Sequence, residues 1–240
     1  MIDYIPEIAK VSKSERFDAI VNAIGAMGLA HRIEPVPGGS GNIIVDIKPE
    51  STDDKIVISA HYDNFAGTPG ANDNAAACSI LLNLIGEAVR TGIDKHIEFV
   101  FFDLEESGLR GSNEYVRNNK NISAAYNLDM CGMGSNIIIA LYNDFENAVH
   151  RVPAGHDVIE LSNLPGGDAY TFRDNGIPTM YVVNSTDNDV EWFKNFANGF
   201  WRSNRTPDFA RTMHRSNDTP GTCNIEQVEK IYKFMVSNIA

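Results

Sequence analysis

The sequence predicts an α/β fold: a three-layer α/β/α sandwich around a mixed, mostly parallel central sheet. Strand-like and helix-like segments alternate along most of the chain, which is the pattern of parallel strands joined by crossing helices. Residues 97–103 show almost no polar alternation, as expected of a central strand covered on both faces. No repeat, low-complexity tract or linker divides the chain, so we expect one domain over residues 1–240.

The first half of the chain supplies the helix and strands that open this pattern. Apolar residues at 17, 20, 21, 24 and 29 recur near the 3.6-residue helical period and predict a helix over residues 14–29. A loop rich in Pro and Gly covers residues 35–41, and strands are predicted at 42–47 and 55–60. An Ala-rich stretch predicts a buried helix over residues 73–90, ahead of the central strand.

The second half continues the alternation. We expect helices over 107–119, 168–175 and 225–239, and strands at 124–129, 136–141, 158–161 and 179–183. Asn224 is a suitable N-cap for the last helix. Because ligands of such sheets bind beyond the carboxyl ends of the strands, the residues that follow the strands are the first candidates for a site.

Charge and cysteine content exclude several classes of function. The 32 acidic and 20 basic residues give a net charge of −12, which argues against nucleic acid or an anionic membrane as partner. Three scattered cysteines without a C-x-x-C pair predict neither a disulfide framework nor a thiolate zinc site. The first residues lack a basic region and a long apolar stretch, so no signal peptide is predicted and a cytoplasmic location is expected. Nothing in the sequence fixes the oligomeric state.

Acidic residues and histidines stand where the predicted strands end. The strand-end residues are His61, Asp63, Glu105, Glu106 and Asp129, joined by Asp73 at a helix start and His214 before the last helix. Carboxylates that converge without cations repel one another, and a divalent metal ion removes that cost. Imidazole and carboxylate donors without thiolates suit zinc, and less specifically manganese or cobalt. In an extended segment i and i+2 point the same way, so Asp63 is placed to orient the His61 imidazole.

Each of these residues alone has an ordinary structural explanation, such as a surface pair or a solvated helix start. Their joint occurrence, in this order, favours a site. The motifs that carry the order are His61-Tyr62-Asp63, Gly70-Ala71-Asn72-Asp73-Asn74-Ala75-Ala76, Asp103-Leu104-Glu105-Glu106-Ser107-Gly108, Asn127-Leu128-Asp129-Met130 and Met213-His214-Arg215-Ser216-Asn217-Asp218-Thr219.

These motifs resemble the co-catalytic zinc aminopeptidases of the MH clan. That family includes bacterial leucyl-type aminopeptidases and relatives of glutamate carboxypeptidase and the transferrin receptor. The resemblance covers residues 55–240 and implies the zinc-exopeptidase fold. Only 12 positions separate His61 from Asp73, and only 85 separate Asp129 from His214. No domain is therefore inserted at either place, and the match is to the compact branch of the clan.

The resemblance implies a site with two divalent metal ions, zinc being the best match, and a peptide substrate. Asp73 would bridge the ions, with Glu106 and His214 on one and His61 and Asp129 on the other. Glu105 would act as general base on the attacking water, which the metals activate, and then protonate the leaving amine. The reaction would be hydrolysis of the N-terminal peptide bond. Relatives also hold a cis peptide after the bridging aspartate, which we carry over to Asp73-Asn74.

One motif departs from the family. The family's Ser-Asp-His-x-x-Phe appears here as residues 167–172, with Ala169 in place of the histidine. Asp168 and Tyr170 of this segment are the candidate substrate-binding residues. A later aromatic stretch, residues 192–201, favours helix packing at i, i+4 spacing, with one wall of a side-chain pocket as the alternative.

Two other functions share this fold. One is a glutaminyl-cyclase-like acyltransferase, which uses one zinc and usually has tryptophan where Met213 stands; Ser107-Gly108 is also closer to the peptidases. The other is a catalytically silent binding module, against which the complete donor set and Glu105 argue.

Overall fold

An eight-stranded sheet forms the centre of the computed structural model, which describes residues 1–149, 158–200 and 206–239. Its order is β1-β2-β4-β3-β5-β8-β6-β7. The strands are β1 (Arg32–Glu34), β2 (Asn42–Asp46), β3 (Lys55–His61), β4 (Ile97–Phe102), β5 (Ile122–Asp129), β6 (Asn136–Tyr142), β7 (Val158–Leu161) and β8 (Thr179–Ser185).

The four central strands, β4, β3, β5 and β8, run parallel to one another. Antiparallel pairs flank them, β1 with β2, β2 with β4 and β6 with β8, and β7 lies parallel to β6 at the other edge. This mixed, mostly parallel sheet confirms the predicted fold class. Parallel neighbours end at the same edge, so the carboxyl ends of β3, β4 and β5 lie side by side.

Helices cover both faces of the sheet. They are α1 (Ile5–Ile8), α2 (Lys13–Ala26), α3 (Ala76–Thr91), α4 (Arg110–Asn118), α5 (Phe145–Val149), α6 (Asp168–Asp174), α7 (Asp187–Ala197) and α8 (Ile225–Ile239). One layer contains α1, α2, α3, α5 and α8, and the opposite layer contains α4, α6 and α7. Every residue of β4 is buried, as its lack of polar alternation predicts. Among the described residues, no helix combines the length and apolarity that crossing a bilayer requires.

The observed elements differ from the predicted ones at several places. Helix α4 begins at Arg110 rather than at 107, and the short helices α1 and α5 were not predicted. Helix α2 ends at Ala26, three residues early, and the short edge strand β1 was not predicted. Helix α3 begins at Ala76 rather than at 73, because Asp73 and Asn74 have non-helical backbone angles inside an irregular π-type turn, Ala71–Ala75. The last helix begins where predicted, and the Asn224 side chain accepts a hydrogen bond from the amide of Glu226.

Candidate metal centre

The strand ends bring the predicted residues to one place. His61 is the last residue of β3 and Asp129 the last of β5, while Glu105 and Glu106 follow β4. Asp73 approaches from the irregular turn before α3. The structure therefore gathers residues that lie far apart in sequence at the carboxyl edge of the sheet.

Two clusters of donor atoms form there and share Asp73. In the first, His61 Nε2 lies 3.2 Å from Asp73 Oδ1 and 3.5 Å from Asp129 Oδ1. In the second, His214 Nε2 lies 2.9 Å from Glu106 Oε2 and 3.4 Å from Asp73 Oδ2. Within each cluster the donor atoms lie within 4.8 Å of one another. Each oxygen of Asp73 thus faces a different imidazole.

The donor set fits divalent metal ions. Asp129 Oδ1 and Glu106 Oε1 are buried atoms with no hydrogen-bond partner in the described part of the chain. Buried carboxylate oxygens without partners are costly unless a cation or a proton satisfies them. Imidazole and carboxylate donors without thiolate match the preferences of zinc.

The carboxylates create a strongly negative field at both imidazoles. Burial by itself lowers the pKa of His61, but the charge of Glu105 and the nearby carboxylates of Asp129, Asp63 and Asp73 raise it well above the usual value. Hydrogen bonds to Asp73 and Glu106 raise the pKa of His214 to about 10. Both clusters therefore favour positive charge, whether as protons or as metal ions.

Glu105 lies in the same field without belonging to either cluster. Burial raises its pKa to about 9, His61 opposes the rise, and Asp168, Asp129 and Asp73 add to it. The side chain lines a cavity next to both clusters. Cations bound beside it would favour its ionised form and so lower this pKa.

Asp63 links the two strand ends. Its carboxylate accepts hydrogen bonds from the backbone amides of Glu105, at 3.0 Å, and Glu106, at 3.2 Å. His61 Nδ1 lies 3.4 Å from the same carboxylate and 3.2 Å from the Asp63 carbonyl oxygen. The predicted proximity to the imidazole is present, and the stronger contacts to the glutamate loop were not predicted.

The backbone at Asp73 is held by a residue that was not among the predicted site residues. The peptide bond Asp73-Asn74 is cis, as the resemblance implied. The buried Asp218 carboxylate accepts hydrogen bonds from the amides of Asn72, at 2.8 Å, and Asp73, at 3.1 Å. Asp218 stands four residues after His214 in the same motif, and its place in that motif is the signal that could have identified it.

Two further contacts position ligand candidates. The Tyr181 hydroxyl donates to Asp129 Oδ2 at 3.1 Å, which leaves Oδ1 facing His61. The ring of Phe65 stacks on the His214 imidazole, with centroids 4.4 Å apart and planes 11° apart. Neither aromatic residue was predicted from the sequence.

The two candidate substrate residues have different surroundings. Asp168 is buried, neither carboxylate oxygen has a hydrogen-bond partner among the described residues, and burial raises its pKa to about 7. The Tyr170 hydroxyl donates to the carbonyl of Leu164 and to Asn163, and the Arg173 guanidinium lies 3.6 Å from its ring centre. These contacts hold the loop before α6, and Tyr170 is not among the described residues that line the cavity.

The cavity beside the donor clusters has a volume of about 390 Å³. Glu105, Glu106 and Asp129 lie on its polar side. Its apolar wall consists of Met130, Val183, Trp192, Phe193, Phe209 and Met213. Trp192 also packs against Phe193 and Phe209, with ring centroids 5.3 and 5.0 Å away, so the aromatic stretch packs and lines the cavity at once. Trp201, from the same predicted stretch, lies outside the described residues.

Comparison with models of known protein families shows which family this chain belongs to. Residues 42–239 match the model of Peptidase family M28. The chain belongs to this family. The match confirms the resemblance found in the sequence motifs, and the region before residue 42 lies outside it.

This M28 chain is also similar to individual known proteins. The Bacillus subtilis protein named Aminopeptidase YwaD is 32% identical over 161 residues, which cover 60% of this chain and 35% of the relative. The Legionella pneumophila LapA aminopeptidase structure matches with a TM-score of 0.74 at 16% identity, over 98% of this chain and 69% of that one. The Bacteroides thetaiotaomicron glutaminyl cyclase structure matches with a TM-score of 0.74 at 17% identity, over 98% and 94%.

These similarities differ in sequence identity and in how much of each relative they cover. The two structures show only that the fold is shared, because their sequence identities to this chain are 16% and 17%. The chain spans well under two thirds of the curated relatives it matches first, 35% in the case of YwaD and 20% in the next.

Proposed function

We propose that this chain is a metal-dependent aminopeptidase that hydrolyses the N-terminal peptide bond of peptides. The observation that carries the proposal is the pair of donor clusters that share Asp73 beside a cavity that Glu105 lines. Membership of Peptidase family M28 supports the reaction class. We also propose that residues 1–240 form one metallopeptidase domain, because one sheet takes strands from Arg32 to Ser185.

The proposed centre holds two divalent ions, with zinc as the best match to the donors. His61 and Asp129 would hold one ion, Glu106 and His214 the other, and Asp73 both. When bound, the ions lower the pKa of a water molecule and polarise the carbonyl of the scissile bond.

Glu105 is the proposed general base. Its carboxylate takes a proton from the attacking water and passes it to the nitrogen of the departing amine, so one residue serves both transfers. Asp63 supports this role, because it fixes the Glu105 amide and lies beside His61. Asp168 is buried and is not among the described residues that line the cavity, so we propose that it acts on the substrate through Glu105, whose pKa its charge raises.

The size and lining of the cavity indicate which side chain the first residue of the substrate carries. Its wall of Met130, Val183, Trp192, Phe193 and Phe209 presents apolar atoms, and its charged residues belong to the polar side. A volume of about 390 Å³ accommodates a large side chain. We propose that peptides beginning with a bulky apolar residue are preferred over those beginning with an acidic one, because an unpaired carboxylate would lose its hydration against that wall.

A single peptide assay tests the proposal. Zinc-loaded protein is given Leu-, Phe-, Glu- and Gln-leading peptides and their N-acetylated forms, and the products are identified by mass. The proposal expects free leucine and phenylalanine, little release from the acidic peptide, and none from the acetylated ones. Pyroglutamate from the Gln-leading peptide without release of amino acids would establish the cyclase alternative. No reaction with any peptide, at full zinc occupancy, would indicate a silent binding module.

A further inference from the structure

Arg16 lies far from the sequence motifs and outside the part of the chain that the family model matches. It belongs to α2, whose buried residues are Arg16, Ile20 and Ile24, spaced one helical turn apart. The side chain of Arg16 is fully buried. An arginine on the apolar stripe of a helix is unusual, since buried charges are retained where they make specific contacts.

The guanidinium of Arg16 binds the loop that connects His61 to Asp73. Nε donates to the carbonyl of Tyr62, and Nη1 donates to the carbonyls of Pro69 and Gly70, all within 3.2 Å. Its acceptors are thus backbone oxygens at both ends of the loop, one residue after His61 and three residues before Asp73. The planar fork of an arginine can span these points, which the single nitrogen of a lysine cannot do equally.

The loop leaves little freedom at the Arg16 contact. Gly70 has φ of +58°, and a Cβ there would lie 2.4 Å from the carbonyl oxygen of Asp73 and 3.2 Å from Arg16 Nη1. The same turn is held from the other side by Asp218, which binds the amides of Asn72 and Asp73. The carboxylate of Asp73 therefore projects from a backbone that is held by the Arg16 guanidinium at Gly70 and by the Asp218 carboxylate at the amides of Asn72 and Asp73.

We propose that Arg16 is a positioning residue for the metal centre, which ties the His61 and Asp73 ends of one loop to helix α2 and so keeps both side chains at ligand spacing. The inference rests on the metal centre proposed above. Because Asp73 belongs to both donor clusters, displacement of the loop would weaken the binding of both ions. Contacts that orient metal ligands are typically worth about 10- to 100-fold in metal affinity.

A charge effect alone would produce the opposite result. Arg16 is a cation near Asp63, Asp73 and Asp218, and a nearby positive charge disfavours bound metal ions. If Arg16 acted through its charge, Arg16→Met would bind metal more tightly and Arg16→Lys would match the wild type. If it acts by tying the loop, both variants bind metal more weakly, and the lysine less severely than the methionine.

The test is a calorimetric titration of zinc into the metal-free full chain, at a temperature where each variant is folded. Arg32→Lys is the matched control, since Arg32 binds Glu98, near the opposite end of β4. We expect two sites in the wild type and the control, and about 10- to 100-fold weaker binding at both sites in Arg16→Lys. Wild-type affinity in Arg16→Lys would overturn the inference even if its melting temperature falls, and that variant decides the question if Arg16→Met does not fold. A wild type that binds no zinc would instead refute the metal centre itself.

Discussion

Glu105 and Glu106 are neighbours in sequence with different surroundings. Glu106 lies 2.9 Å from His214 and belongs to a donor cluster, whereas Glu105 lines the cavity without joining either cluster. Asp63 makes this division possible, because it holds both backbone amides and so fixes the directions of the two side chains. Two carboxylates one residue apart can therefore serve different purposes.

Glu105→Gln separates a base from a ligand. We expect the variant to keep two zinc ions while kcat falls by about 10²–10⁴-fold, the usual contribution of a general base. The acidic limb of the pH profile should disappear, because activity in the wild type rises with pH as the base loses its proton. Metal content and peptide hydrolysis are measured on the same samples.

Glu106→Gln is the contrasting variant and should lose one ion. Loss of zinc from Glu105→Gln in parallel with its activity would make Glu105 a ligand and remove it as the base. Unchanged hydrolysis in Glu105→Gln would refute catalysis at this site.

Asp73 is expected to affect both ions and His61 only one. Each oxygen of Asp73 faces a different imidazole, whereas the His61 Nε2 atom belongs to the first cluster alone. Asp73→Ala should therefore lose both zinc ions, while His61→Ala should weaken mainly one of them. Zinc stoichiometry after dialysis measures the difference. One tightly held ion in Asp73→Ala would show that the two sites are independent.

At the scale of elements, the order of strands and helices was predictable because hydrophobic patterns are local. The start of α3 was predicted wrongly because tertiary contacts override the local pattern there. The irregular turn before α3 was predicted as helix because its Ala-rich sequence suits one, yet its backbone follows the contacts of Asp73 and Asn74. Asn74 donates to the carbonyl of Leu128 at the end of β5, a contact that no local pattern contains.

The predicted site residues came from motifs, whereas Asp218 and Arg16, two residues that hold the backbone near Asp73, were identified only from the structure. Asp218 accepts hydrogen bonds from backbone amides and Arg16 donates to backbone carbonyls, and backbone groups are the same at every residue, so the sequence does not reveal these partners. Arg16 did leave one signal, an arginine in register with Ile20 and Ile24 on the buried face of α2. Tyr170 shows the reverse case: a motif residue whose hydroxyl turns to the loop backbone.

Away from the metal centre, a second buried cluster of charges connects four elements of the fold. Glu98 of β4 is 3% exposed, and its carboxylate pairs with Arg32 of β1 and Lys55 of β3, each at 3.0 Å, and accepts the hydroxyl of Tyr115 from α4. Although burial opposes the change, these partners lower the pKa of Glu98 below its usual value. We expect Glu98→Gln to cost about 3 kcal/mol of unfolding free energy, the low end for a broken buried pair because Arg32 is half exposed.

The same contacts predict how this stability depends on pH. A lowered folded-state pKa gives stability that is fully present above the unfolded value, about 4.3 for glutamate, and is lost as pH falls through the folded value. The difference between wild type and Glu98→Gln should therefore shrink below about pH 4.3. Urea unfolding at several pH values measures it. Asp94→Asn, at a surface pair with Lys48, is the control and should change little. A constant difference down to acid pH would contradict the charge explanation.

On the scale of the whole molecule, the candidate centre draws on residues from Arg16 to Asp218. The sheet supplies the strand ends, α2 ties one loop, and the segment before α8 contributes His214 and Asp218. Many carboxylates meet there in a chain of net charge −12, so cations at the centre relieve repulsion between distant parts of the chain. Metal binding and global stability should then be linked.

This linkage can be measured without any substrate. A ligand that binds only the folded state adds stability that grows with its concentration, about 2.7 kcal/mol for one site at 100 times its dissociation constant. We expect the melting temperature of the chelated wild type to rise as zinc is added. One ion would join the ends of β3 and β5 to the turn at Asp73, and the other would join that turn to Glu106 and the His214 segment. Asp73→Ala removes the oxygens that both clusters share, so its melting temperature should respond to zinc far less. An equal rise in both proteins would mean that zinc binds elsewhere on the acidic surface, and no rise in the wild type would contradict a metal centre built from these residues.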